Sequence, residues 1–343
     1  MHDLVDALVN RRRAVEPDMC RSFWARLQNE QVDRAEAAAL LAALSTRMPD
    51  PDTVVTFLAS LHERRQVPGV GFPRAANIVG TGGGPGTFNI STAAAFVAAA
   101  MGVRVVKTGS RANSGKVGSI NLLDRLHISP ARSYDEVGER LDEFGIAFVG
   151  YFVYPVELTR LARTVLPLDM RTIGRFVNTV GPFLAAIQVS AQVTGVSDRA
   201  NLPTMRRLAD SRQGTRVWLC SNELGADELL SCAVNQIYDT DTGEFVVRPQ
   251  ELGVGGGDLS DLRGAPQDDQ LIPHFQALLA GRAPHPAVAT VCLNAAALAV
   301  AVGTVPDLAT GVRDARAVVH DGAAAELLTR MRERAPAEVS ARG

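Results

Sequence analysis

Lysine occurs only twice among the 35 basic residues of this 343-residue chain, at Lys107 and Lys116. Both stand in one polar stretch, KTGSRANSGKVGSINLLD, which begins at Lys107 and follows the glycine-rich run GTGGGPGTFNIST over residues 80–92. In a chain that otherwise uses arginine, two ammonium groups beside serines and glycines point to a held phosphate. Glycine lets backbone N–H groups approach an anion closely. A helix start adds free N–H groups and positive dipole.

The local pattern supplies the elements that such a site needs. Ala76–Val79 reads as a short apolar strand delivering Gly80, Thr81, Gly82, Gly83 and Gly84 to its C-terminal end. Asn89, Ser91 and Thr92 offer a helix N-cap before Ala93–Met101, with Gly102 as the stop. Val103–Val106 reads as a second strand, so two successive strand ends converge on one polyanion. Glycine turns at strand ends are common in α/β proteins, and this one fits neither G-x-x-x-x-G-K-[ST] nor G-x-G-x-x-G, which argues against ATP and dinucleotides.

With GTGGGPGTFNIST and KTGSR in place, the chain resembles the anthranilate phosphoribosyltransferase family, whose signature is close to GTGGD…TFNIST followed by KHGNR. The likeness runs almost end to end and includes Arg171-Thr172-Ile173 before Gly181-Pro182, the pair Asp227-Glu228, and Leu293-Asn294-Ala295-Ala296. The resemblance implies a phosphoribosyl pyrophosphate donor held with Mg2+, a small-molecule acceptor, and release of pyrophosphate. It assigns Gly80, Thr81, Gly82, Gly83, Asn89, Ser91, Thr92, Lys107, Ser114 and Ser119 to the donor. The ion falls to Ser91, Asp227 and Glu228, and catalysis to Lys107 and Arg171. Thr108, Ser110, Glu157, Arg171 and Arg175 fall on the acceptor side. Asn113 is a weaker match and Lys116 an even choice between ligand and solvated charge. An acidic pair at a helix N-terminus is the ordinary alternative for Asp227-Glu228.

The departures cluster on the acceptor side. The aspartate of GTGGD is Gly84, and the turn after it is one residue shorter. The histidine and asparagine of KHGN are Thr108 and Ser110, and the histidine of Y-H-P-A-M-K is lost in Tyr154-Pro155-Val156-Glu157-Leu158, which brings in an acid. The asparagine-proline after Gly181-Pro182 is Ala185-Ala186, and the His-Gly before the acidic pair is Ser221-Asn222. The expectation is a phosphoribosyltransferase with a retained donor half and an acceptor other than anthranilate. A polyhydroxylated or cationic amino-sugar intermediate of specialised metabolism, such as antibiotic biosynthesis, is one candidate. The rivals are a tryptophan-pathway anthranilate enzyme, a pyrimidine-nucleoside phosphorylase relative and a non-catalytic nucleic-acid-binding paralogue.

Composition bounds these readings. A net charge of −2 and 46% hydrophobic residues fit an ordinary globular enzyme and give no basic stripe for nucleic acid. No stretch reaches the roughly 18 uncharged apolar residues of a membrane span, so a cytoplasmic protein without membrane or nucleic-acid partners is expected. Cys20, Cys220, Cys232 and Cys292 are scattered among apolar neighbours and read as free thiols, and the six histidines make no zinc spacing.

The fold expectation is α/β: a small helical N-terminal domain beside a larger α/β domain with a mainly parallel sheet flanked by helices. Residues 1–70 show helical spacing and, by the resemblance, join a helical stretch near 155–180. Residues 71–154 and 181–334 alternate strands (Ile146–Val149, Ile187–Val189, Val217–Leu219) with helices (Tyr134–Phe144, Leu202–Ser211). Residues 335–343 read as a disordered tail. The resemblance implies a homodimer and an active site in the cleft between domains.

Overall fold

The computed structural model describes residues 1–65, 71–109, 118–264 and 268–334. One seven-stranded sheet forms the centre, built from β1 (Phe72–Gly80), β2 (Arg104–Lys107), β3 (Ile146–Phe148), β4 (Val189–Gly195), β5 (Arg216–Asn222), β6 (Asn235–Asp239) and β7 (Gly243–Val247). The strand order is β3-β2-β1-β4-β5-β6-β7. The first five strands pair in parallel. β6 and β7 then add an antiparallel hairpin at one edge. The sheet is therefore mainly parallel, as the alternating pattern predicts.

Two readings change. The strand expected at Ile187–Val189 begins at Val189 and continues to Gly195, because Ile187 turns into the cluster below the sheet and ladder pairing starts only at Val189. The hairpin of β6 and β7 was absent from the sequence reading.

The two faces of the sheet have different partners. On one face, Ala76, Ile78, Val105, Val193, Trp218 and Cys220 pack against a layer that includes helices Ile90–Ala100, Leu271–Leu279 and His285–Ala301. Helices Ile90–Ala100 and His285–Ala301 are apolar nearly all round, as a helix sandwiched between sheet and other helices must be. The opposite face is divided. Val106, Ala147 and Val189 pack beneath helix Tyr134–Phe144. Val217 and Leu219 of β5 point instead into the core of the N-terminal helices.

Those helices span Asp3–Asn10, Pro17–Gln28, Arg34–Thr46 and Pro51–His62. Their starts follow capping chemistry: Asp33 and Asp50 accept from the backbone N–H groups of Glu36 and Thr53, and Pro17 and Pro51 occupy first-turn positions. Phe23, Trp24 and Phe57 form an edge-to-face series that Phe176, from helix Arg175–Leu184, extends. The Trp24 indole N–H donates to Ser60 Oγ at 2.8 Å.

Between the two apolar clusters of the divided face runs a buried polar seam of Asn77, Thr108, Gln192 and Thr194, each at most 2% exposed. Asn77 Nδ2 donates to Thr108 Oγ1 at 3.0 Å. Gln192 Nε2 donates to Thr194 Oγ1 and to the Pro182 carbonyl of helix Arg175–Leu184. All four cysteines are unpaired. Among the described residues, no helix is long and apolar enough to cross a membrane.

Candidate active site

The C-terminal ends of β1, β2, β4 and β5 meet at one place, as parallel sheets dictate. Gly80 closes β1, and the loop after it turns through left-handed Gly82 and Gly83, with φ of 70° and 84°. Thr81 N–H donates to the Gly195 carbonyl at the end of β4. Ser197 straps the same loop: its hydroxyl donates to the Gly82 carbonyl at 2.5 Å and its N–H to Thr81 Oγ1 at 3.2 Å. The loop's far end is pinned by Phe88 N–H on the Leu262 carbonyl.

Asp227 reaches into this loop from beyond β5. Its Oδ2 accepts the Gly82 N–H at 2.7 Å. The approach depends on two glycines. A Cβ at Gly80 would lie 2.0 Å from Asp227 Oδ2, and one at Gly195 would lie 1.6 Å from the Asp227 carbonyl oxygen. A Cβ at Gly84 would lie 2.6 Å from the Gly225 carbonyl, so the aspartate usual at that position has no room without a backbone shift.

The acidic pair does not begin a helix; it sits in the loop between β5 and β6. Two buried amides grip that loop. Asn222 Nδ2 donates to the carbonyls of Ala226 and Glu228, at 3.2 and 2.9 Å. Asn294, from helix His285–Ala301, accepts the Leu229 N–H at 3.1 Å and donates to the Leu229 carbonyl at 2.7 Å. Both carboxylates are thereby held at the strand ends.

Lys107 closes β2 and is 3% exposed. Its Nζ donates to the Thr108 carbonyl at 3.0 Å. Burial pushes its ammonium down to about 8, while Glu228 and, less strongly, Asp227 act to raise it. The lysine and the acidic pair therefore share one electrostatic neighbourhood, with Glu228 the stronger influence.

The remaining donor-side residues divide. Asn89 stands at the N-cap of helix Ile90–Ala100 but makes no side-chain cap bond, and Ser91 is half-buried in the first turn. Thr92, in the same turn, is fully buried, and its hydroxyl has no hydrogen-bond partner among the described residues. Ser119 opens helix Ser119–Arg125, with its hydroxyl 2.1 Å from where a Gly109 Cβ would stand. Ser110, Asn113, Ser114 and Lys116 lie outside the described residues, as does the tail from residue 335.

On the acceptor side, Thr108 spends its polar groups internally: its N–H and hydroxyl meet Asn77 Oδ1 at 3.1 and 3.2 Å. Tyr154 lies beside it; burial pushes that phenol up to about 12, with the Thr108 hydroxyl acting in the opposite sense. Glu157 is 4% exposed, and its carboxylate accepts from Arg64 Nε at 2.9 Å. Its charge is therefore answered within the protein. Arg175 is exposed and lies 3.6 Å from Asp198, three residues past the end of β4. The backbone of Arg171 lies in helix Met170–Ile173, and its side chain is outside the described residues.

Sequence reasoning missed Ser197 and the role of Asn222. No local pattern marks Ser197, which reaches Gly82 from 115 residues away in sequence. Among the described residues, no three His, Cys, Asp or Glu side chains gather as a metal cage. Two adjacent carboxylates beside a glycine loop suit Mg2+, which takes few protein carboxylates and completes its shell with phosphate oxygens and water.

Residues 73–325 match the family described as "Glycosyl transferase family, a/b domain". The chain is 34% identical over 302 residues to anthranilate phosphoribosyltransferase of Thermus thermophilus, covering 88% of this chain and 89% of that protein. It is 30% identical over 322 residues to the enzyme of the same name from Methylobacterium nodulans, covering 93% and 94%. The crystal structure of the enzyme from Thermus thermophilus superposes with a TM-score of 0.76 at 30% identity over 96% of this chain and 98% of that one. The Saccharomyces cerevisiae enzyme in complex with PRPP and Mg shares the fold, with a TM-score of 0.77 at 19% identity over 97% and 92%.

Proposed function

The chain belongs to the anthranilate phosphoribosyltransferase family, and from that premise we propose that it transfers 5-phosphoribosyl from phosphoribosyl pyrophosphate to a small-molecule acceptor and releases pyrophosphate. The observation that carries this is the convergence of the Gly80–Gly83 loop, buried Lys107 and the pair Asp227-Glu228 on one set of parallel strand ends. In such a transfer the C1–O bond to pyrophosphate breaks, positive charge develops on the ribosyl carbon and negative charge on the leaving group. Groups preorganised toward the leaving oxygens lower that barrier. Lys107 supplies one positive charge, and the loop N–H groups of Gly83 and its neighbours supply dipoles. Glu228 and Asp227 would hold Mg2+, with Ser91 at the first turn of helix Ile90–Ala100 as a further oxygen ligand. When bound, the ion neutralises pyrophosphate charge.

For the acceptor, the relatives support anthranilate, and with it tryptophan biosynthesis. A second reading, an acceptor other than anthranilate, is favoured by one observation: Thr108, where the family has histidine, is tied to Asn77 and so offers the acceptor no free imidazole-like group. Glu157 gives this second reading no support, since Arg64 answers its charge. Arg171 and Arg175 remain the arginines for an anionic acceptor. The division into a helical domain of residues 1–70 with 155–180 and an α/β domain of 71–154 and 181–334, and the homodimer, are carried by the resemblance, and the cytoplasmic location by the sequence's hydropathy pattern.

The test is pyrophosphate release from phosphoribosyl pyrophosphate with Mg2+, offering anthranilate and a panel of amino sugars, with Lys107→Ala as the control. Turnover of anthranilate establishes the first acceptor reading. Turnover of an amino sugar alone establishes the second, and no donor binding in any assay overturns phosphoribosyl transfer.

A further inference from the structure

Ser197 stands just past the end of β4 and braces the loop that follows β1. Its hydroxyl donates to the Gly82 carbonyl at 2.5 Å, and its N–H donates to Thr81 Oγ1 at 3.2 Å. The fit around it is close: a Cβ on Gly83 would stand 3.6 Å from Ser197 Oγ, one on Gly84 3.4 Å from Ser197 Cβ, and one on Gly225 3.4 Å from the Ser197 carbonyl oxygen. The peptide between Gly82 and Gly83 is trans, so the Gly82 carbonyl and the Gly83 N–H point in opposite directions. Fastening the carbonyl to Ser197 therefore turns the Gly83 N–H away from the end of β4. That N–H donates to no other described residue, whereas the Gly82 N–H is already taken by Asp227 Oδ2 at 2.7 Å. Of these two left-handed glycines, the second keeps an amide for an anion. Because glycine stands on both sides of this peptide unit, rotating it meets little steric resistance. A rotated unit would show an anion the Gly82 carbonyl oxygen, which repels it, in place of the N–H.

We infer that Ser197 is a positioning residue: its hydroxyl holds the Gly82–Gly83 peptide unit in the orientation that aims the Gly83 N–H at the pyrophosphate of the donor. The inference rests on the donor reading above and adds to it a residue from outside the glycine run, the lysine segment and the acidic pair. Thr81 is a poor substitute for the strap, since its hydroxyl reaches the same carbonyl only at 3.4 Å and already accepts the Ser197 N–H.

The test uses the full chain, Mg2+ and inorganic pyrophosphate as the probe, with two variants: Ser197→Ala removes the hydroxyl and Ser197→Thr keeps it. In calorimetric titration Ser197→Ala binds pyrophosphate about tenfold more weakly, the size of a lost hydrogen bond in the loop, and Ser197→Thr stays within about threefold of the unsubstituted protein. The second measurement is amide hydrogen exchange of the peptide containing Gly83, with and without saturating pyrophosphate. Pyrophosphate slows that exchange in the unsubstituted protein and in Ser197→Thr, and leaves it fast in Ser197→Ala. Peptides of helix Leu202–Asp210, which follows Ser197 in the chain, keep the same protection in all three proteins, which separates a misaimed amide from a loosened fold. Pyrophosphate affinity in Ser197→Ala within about twofold of the unsubstituted protein overturns the inference, as does equal weakening in Ser197→Ala and Ser197→Thr. Failure of the unsubstituted protein to bind either pyrophosphate or donor overturns the donor reading, and this inference with it.

Discussion

Lys107 is 3% exposed, and burial brings its ammonium down to about 8 from an ordinary 10.5. On the donor reading proposed above, the charge it would offer to pyrophosphate is therefore lost in mildly alkaline solution. Donor affinity is expected to fall as pH rises through about 8, by about tenfold or more for a lost charged hydrogen bond, measured by calorimetric titration of the donor between pH 6.5 and 9.5. Stability moves the other way. Between about 8 and 10.5 the unfolded chain holds this proton and the native one does not, so the lysine makes the fold more stable as pH rises across that window. Buried thiols act oppositely, since Cys220 and Cys292 are pushed up to about 12. Subtracting the unfolding profile of Lys107→Met from that of the unsubstituted protein isolates the lysine. A difference without slope above pH 8 would refute its perturbed titration. The lysine was legible from sequence because its residue type is so rare in this chain. Its burial was not legible, being made by strands and loops far along the chain.

At the scale of elements, the acidic loop is held by amides rather than by a helix. Asn294 answers both the N–H and the carbonyl of Leu229 while 2% exposed. Asn294→Ala leaves two buried backbone groups unmet and should cost about 1–3 kcal/mol, read from the denaturant midpoint. The Gly195→Ala change should do more harm to donor binding than any other single methyl addition among these strands, because the Cβ lands 1.6 Å from the Asp227 carbonyl oxygen. Retention of donor affinity in soluble Gly195→Ala protein would show that the strand end can yield. The glycine loop and its following helix could be read locally, from Gly80–Gly84 and the alanine run. Ser197 could not, because it meets Gly82 across a separation of 115 residues, and no local pattern records such a meeting. The hairpin of β6 and β7 does leave a trace in the sequence: alternating residues on both sides of the turn signal Thr240-Asp241-Thr242-Gly243.

At the scale of the molecule, the two tryptophans divide between the two largest cores. Trp24 is buried among the N-terminal helices and Trp218 on the other face of β5. Val217 and Leu219 of that same strand complete the helical core. The cores share an element, so they should unfold together: single-tryptophan variants Trp24→Phe and Trp218→Phe are expected to show coincident fluorescence transitions in urea. Two separated midpoints would mean that the helices melt on their own. Apolar periodicity announced helices in the first 65 residues, but nothing local announced that β5 would close their core.

Strand β5 thus carries alternate side chains into two different interiors, and a single inserted residue would turn every one of them to the wrong side. Asp227 and Glu228 follow that strand within a few residues. The loop that bears them continues directly from a strand whose side chains are buried in both interiors. On the donor reading proposed above, the acids that would take the ion are carried by a strand on which both interiors depend.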